Sequence, residues 1–163
     1  MNRNETLREN LVALLTGEHA RMSFERAVEE FPVEKINTPF PKADYTPWHL
    51  LEHLRLAQED ILDFCRNPHY KERKWPEGYW PAKSKKATTA AWNKTINGFQ
   101  KDLKDIVSIV EDAETDLYHG IPWGEGITIL REIVTVANHN AFHIGEFAIM
   151  RQAMGTWGKS HKK

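Results

Sequence analysis

The chain has a single cysteine, Cys65, in 163 residues. No intrachain disulfide can form, so stability must come from a buried core, and the chain fits a reducing cytoplasm. No apolar run approaches the ~20 residues that a membrane helix needs. Met1-Asn2-Arg3-Asn4-Glu5 leads into an amphipathic pattern rather than an apolar leader, which argues against a signal peptide. Net charge is almost absent: 22 Lys and Arg against 23 Asp and Glu leave −1, so no global field recruits nucleic acid or an anionic membrane. The basic runs Lys83-Ser84-Lys85-Lys86 and Lys159, His161, Lys162, Lys163 read as solvated loop and tail. Alternating strand patterns and internal repeats are also lacking. Hydrophobic residues make up 40%, enough for one domain over 1–163 with a real core.

What is present is helical periodicity. Leu7, Leu11, Leu14, Leu15, Met22 and Val28 predict one helix from about Asn4 to Phe31, stopped by Pro32. Thr46-Pro47 starts a second, with an N-cap oxygen and a proline where no N–H is needed, running to about Arg66 before Asn67-Pro68. Trp92, Ile96, Phe99, Leu103, Ile106 and Val110 place a third from about Thr88 to Ala113, with Gly98 a weak interior residue. A fourth begins near Thr128 and ends at Gly155. The expected fold is all-α, a four-helix bundle with long irregular loops between helices. The connections before and after the second helix are long enough for a crossover. The loop holding Trp75-Pro76-Glu77-Gly78-Tyr79-Trp80-Pro81 must pack or function at such length; it is either a roof over a pocket or a clasp on the bundle.

The chemistry lies in two histidine pairs, His49/His53 and His139/His143, each four residues apart and so on one helix face. At roughly 100° per residue, His143, Glu146, Met150, Val136 and Glu132 fall within about 60° of His139. Imidazoles and carboxylates set among apolar side chains suit a metal pocket better than a solvent face or a plain core. On the second helix, His53 lies one turn deeper than His49 and is flanked by Leu50, Leu51 and Leu54. It is the preferred ligand, with His49 in a pocket or surface role. Three nitrogens with open positions suit a reactive metal, and zinc, nickel, iron or copper all accept them. His19, His69, His119 and His161 lack a partner at helical spacing and read as solvated or loop-packed. A zincin HExxH fails because residue 140 is Asn, and a di-iron bundle fails because no Glu-x-x-His occurs. Cys65, near a helix end without an activating histidine at helical spacing, is a poor nucleophile.

Three segments in order carry a family likeness: Thr46-Pro47-Trp48-His49-Leu50-Leu51-Glu52-His53-Leu54, then Trp75-Pro76-Glu77-Gly78-Tyr79-Trp80-Pro81, then Asn138-His139-Asn140-Ala141-Phe142-His143-Ile144-Gly145-Glu146. Together they resemble the DinB (YfiT-like) superfamily. The resemblance implies a four-helix bundle, often a homodimer, with His53, His139 and His143 holding a divalent metal such as nickel or zinc. It also implies a metal-dependent transferase that joins a low-molecular-weight thiol to an electrophile. Glu146 stands where relatives are expected to carry Gln, which makes it the candidate catalytic carboxylate: a fourth ligand, a base, or a group that orients one. A non-catalytic metal- or ligand-binding stress-response module and a metal-assisted hydrolase are the rival expectations. Helix faces near Trp92 and Phe99 offer either a dimer surface or core.

Overall fold

Each α-helix begins at a residue whose side-chain oxygen accepts the N–H three positions on. Asn2 starts α1 (Arg3–Thr16), Ser23 starts α2 (Phe24–Val28), Thr46 starts α3 (Pro47–Arg66), Thr88 starts α4 (Thr89–Glu111) and Thr128 starts α5 (Ile129–Met154). The computed structural model describes residues 2–18 and 22–158; His19 and the basic tail from Lys159 lie outside the described residues. Among the described residues no strand forms beyond an isolated bridge between Gly120 and Thr128, and no helix is long and apolar enough to cross a membrane.

The expected helix from Asn4 to Phe31 is two helices. Gly17 adopts φ 81°, the left-handed conformation that ends α1, and Ser23 restarts the chain as α2. The apolar spacing bridges this break because both pieces face one core: Leu11 and Leu15 from α1 and Phe24 from α2 are all buried. Leu14 departs from the expected stripe and is 44% exposed. Helices α3, α4 and α5 match their expected bounds within two residues, and α5 ends on Gly155 at φ 64°.

Both α1 and α3 pack against α4 and against α5. Going round the bundle the order is therefore α1, α4, α3, α5, with α1 opposite α3 and α4 opposite α5. Two connections cross the diagonal, α1 to α3 and α4 to α5. The long loop after α3 joins neighbours and is free to serve another purpose. The core between the helices holds Leu50, Leu51, Leu54, Ile106, Ile133 and Phe147, each at most 1% exposed. Burying each such side chain contributes about 1.5–3 kcal/mol. Phe24 stacks on Phe99 with ring centroids 3.9 Å apart, joining α2 to α4. Trp92 and Phe99 are 3% and 1% exposed, so both are core and neither offers a dimer surface. Gly98 has a local reason: an added Cβ would stand 2.8 Å from Cδ of Arg55, whose stem lies across that turn.

The loop from Asn67 to Thr88 is fastened along its length. The hydroxyls of Tyr70 and Tyr79 donate to the Asp60 carboxylate at 3.2 and 2.8 Å. Arg73 pairs with Asp60 at 3.3 Å and with Glu59 at 2.6 Å. At the far end, the Asn37 side chain exchanges two hydrogen bonds with the backbone of Ala87, at 2.8 and 2.9 Å. These anchors hold residues 79 and 80 against α3, beside His53.

Candidate metal centre

α3 and α5 are neighbours, and their mixed faces meet. His53 from α3 and His139 and His143 from α5 each present one ligand atom, all within 4.8 Å of one another. His53 Nε2 and His139 Nε2 are 3.2 Å apart. Two nitrogens about 2.0–2.1 Å from a tetrahedral ion lie roughly 3.3 Å from each other, so this pair is already spaced for one ion. His53 is buried at 4% exposure, while the other two rings are half-buried and keep a side toward solvent.

The surroundings decide which nitrogen of each ring is free. His53 Nδ1 lies 2.9 Å from the Tyr79 carbonyl oxygen, which can only accept, so Nδ1 carries the proton and Nε2 offers a lone pair. His143 Nδ1 lies 2.7 Å from Glu146 Oε2 and donates to it, leaving Nε2 as the nitrogen open to a metal. Such outer partners fix the tautomer and orientation of ligating histidines. His139 Nδ1 is buried with no hydrogen-bond partner, as is Oδ1 of the adjacent Asn140. Burial pushes the His53 imidazole down to about 4, helped by His143 and opposed by the Tyr79 carbonyl. The His139 ring also falls to about 4, through burial first and its two imidazole neighbours next, with Asn140 opposing weakly. Both rings are thus neutral at pH 7, the state in which imidazole binds a metal. A divalent ion fits these three residues.

Glu146 reaches further. Its Oε1 accepts from the Tyr45 hydroxyl, so both carboxylate oxygens are engaged. The hydrogen bond from His143 holds the Glu146 carboxyl below its ordinary range, and the one from Tyr45 adds to this. Burial and then that same carboxylate push the Tyr45 phenol up to about 12. While Oε2 keeps its contact with Nδ1, Glu146 sits on the side of the His143 ring away from Nε2. That is the place of an orienting group rather than a fourth ligand.

The other histidines go elsewhere. His49 is buried at 3% exposure rather than near solvent. Its Nδ1 accepts the Thr46 N–H at 3.3 Å, taking the Glu position of a capping box, and its Nε2 donates to the Lys85 carbonyl at 2.8 Å. With both nitrogens used, His49 has none for a metal. The letters His49-Leu50-Leu51-Glu52-His53 also spell an inverted zincin signature, but Glu52 is committed to Arg55 at 2.8 Å and Thr95 at 2.6 Å. His69 and His119 are exposed. Burial pushes the Cys65 thiol up to about 12, which removes it as a nucleophile.

The sequence offers Tyr79 and Trp80 only as part of a roof or clasp, and it does not single out Tyr45. Trp80 stacks on His53 with centroids 3.9 Å apart and planes within 7°, the Tyr79 carbonyl sets the tautomer of His53, and Tyr45 holds Glu146. The loop is therefore both clasp and wall. Trp75, by contrast, is 66% exposed and meets the Tyr79 ring at 5.7 Å. Phe142 is 69% exposed yet meets His143 edge-on at 4.9 Å.

No curated protein and no solved structure matches the chain. The family model of the DinB superfamily matches residues 16–147, a span that takes in the His53, His139 and His143 triad, Glu146 and the loop that walls them. The chain belongs to the DinB superfamily.

Proposed function

We propose that the protein is a divalent-metal-dependent transferase that joins a low-molecular-weight thiol to an electrophile, with zinc or nickel held by His53, His139 and His143. The observation that carries this reading is the imidazole set: three nitrogens within 4.8 Å, two with tautomers dictated by Tyr79 and Glu146. A bound ion there would supply Lewis acidity, lowering the pKa of a thiol or water brought to it. The protein's own groups do the rest. Tyr79 and Glu146 hold the rings, and Trp80 shields one face of His53. In the transfer, the sulfur electron pair forms the new carbon–sulfur bond, the leaving group departs with its own pair, and the thiol proton passes to solvent.

Water in place of the thiol would give hydrolysis, and binding without turnover would give a sensing module. The test separates the transferase from both. Zinc- or nickel-loaded protein is assayed with 1-chloro-2,4-dinitrobenzene over a panel of cellular thiols, beside a His139→Ala/His143→Ala variant. Thiol-dependent product from the wild type alone supports the transferase. Equal rates in both proteins refute it. A homodimer, expected from the family likeness, is checked by sedimentation equilibrium.

A further inference from the structure

A ligating imidazole needs an outer partner that settles which of its nitrogens is free. His53 has the Tyr79 carbonyl and His143 has Glu146, each through Nδ1. His139 is different. Because His53 carries its proton on Nδ1, its Nε2 can only accept. The 3.2 Å contact between the two Nε2 atoms is therefore a hydrogen bond that His139 Nε2–H donates to His53. That leaves His139 Nδ1 as a bare acceptor. The other orphan here, Asn140 Oδ1, is an acceptor too, and among the described residues neither atom has a hydrogen-bond partner. Two acceptors cannot bond each other, and buried polar atoms left in this state are uncommon enough to need a reason.

The orientation of the Asn140 amide is fixed from behind. The Phe99 carbonyl can only accept, so Gln58 turns Nε2 to it, at 2.7 Å, and presents Oε1 to Asn140. That oxygen accepts from Asn140 Nδ2 at 2.8 Å, which leaves Asn140 Oδ1 unspent. Of the groups acting on the His139 pKa, the Asn140 side chain alone draws it upward, as an acceptor facing the ring does. Gln58 is 0% exposed and Asn140 1%, so bulk water does not reorient either amide.

We propose that Asn140 is the positioning residue of His139, built for the tautomer that a divalent ion imposes. An ion shared with His53 requires the His139 Nε2 lone pair, so the ring proton lies on Nδ1, where Asn140 Oδ1 accepts it. One N–H is lost at Nε2 and one forms at Nδ1 by exchange with water, so the ring stays neutral and no net proton is released. The two orphans become one hydrogen bond, tied through Gln58 to the backbone of α4. The inference rests on the metal-binding part of the reading above and not on the transfer chemistry.

Nitrogen NMR of the imidazoles at pH 7.5, on zinc-free and zinc-loaded protein, tests it, with zinc affinity measured by chelator competition. In the wild type, His139 should pass from Nε2–H without zinc to a slowly exchanging Nδ1–H with it, while His53 and His143 keep Nδ1–H throughout. Asn140→Leu should lose about tenfold or more in zinc affinity, with fast exchange at His139 Nδ1–H and unchanged signals from His53 and His143. Asn140→Leu/Gln58→Leu, which leaves neither amide of the pair without its partner, should lose as much, and thermal melts confirm that each variant folds. The same His139 tautomer with and without zinc, ligation through His139 Nδ1, or wild-type affinity in a folded variant overturns the inference alone. A wild type that takes up no zinc overturns the metal reading beneath it.

Discussion

Replacing His53 by Gln should flatten the dependence of stability on pH below neutrality. The ring is buried at 4% exposure and its folded pKa lies near 4, against 6.5 for the free side chain. A histidine depressed in the folded state takes its proton first in the unfolded chain. Its contribution is therefore fully present above pH 6.5 and is lost as the pH falls toward 4. At pH 5 the unfolded ring is protonated and the folded one is not, which costs about 2 kcal/mol of stability relative to pH 7.5. For a domain of this size that is about 4–8 °C in Tm. The assay is thermal or urea unfolding at pH 7.5 and 5.0 with chelator present, for the wild type and His53→Gln. Carboxylates titrate alike in both proteins, so the difference between the two pH dependences isolates the imidazole. If the variant loses as much stability as the wild type over that interval, the ring is not desolvated as described.

Two further perturbations probe what surrounds the triad. Glu146→Ala removes the acceptor for His143 Nδ1, and zinc affinity should fall about 10–100-fold with little change in Tm; Tyr45→Phe should produce a smaller loss in the same direction, measured by competition with a chromophoric chelator. Asp60→Ala releases Tyr70, Tyr79 and Arg73 together; stability should drop by about 1–3 kcal/mol in urea titration, and zinc affinity should fall with it because Tyr79 and Trp80 lose their anchor.

The candidate histidine triad was legible in the letters because helical spacing is a local property. Two histidines four apart share a face whatever the rest of the chain does, and the mixed polarity of that face marked it as enclosed. The choice of His53 over His49 was also legible, though for an incomplete reason. His49 is excluded not by nearness to solvent but because it completes the cap of α3, and the signal was there: Thr46 three residues before a side chain able to accept its N–H. The break at Gly17 was hidden because the apolar spacing continues across it. The roof-or-clasp reading of the loop named Tyr79 and Trp80 without their partners, and Tyr45 was not named, since loop paths depend on distant anchors such as Asp60 and Asn37. For Tyr79 the working group is a backbone carbonyl, which no residue letter encodes.

His53, His139 and His143 together are proposed to hold a single divalent ion. Calorimetric titration of zinc into chelator-stripped protein, purified without metal-affinity resin, is the decisive experiment. One ion per chain, with affinity lost in each of His53→Ala, His139→Ala and His143→Ala but kept in His69→Ala, is the predicted result. Wild-type affinity in the His53→Ala protein would contradict it.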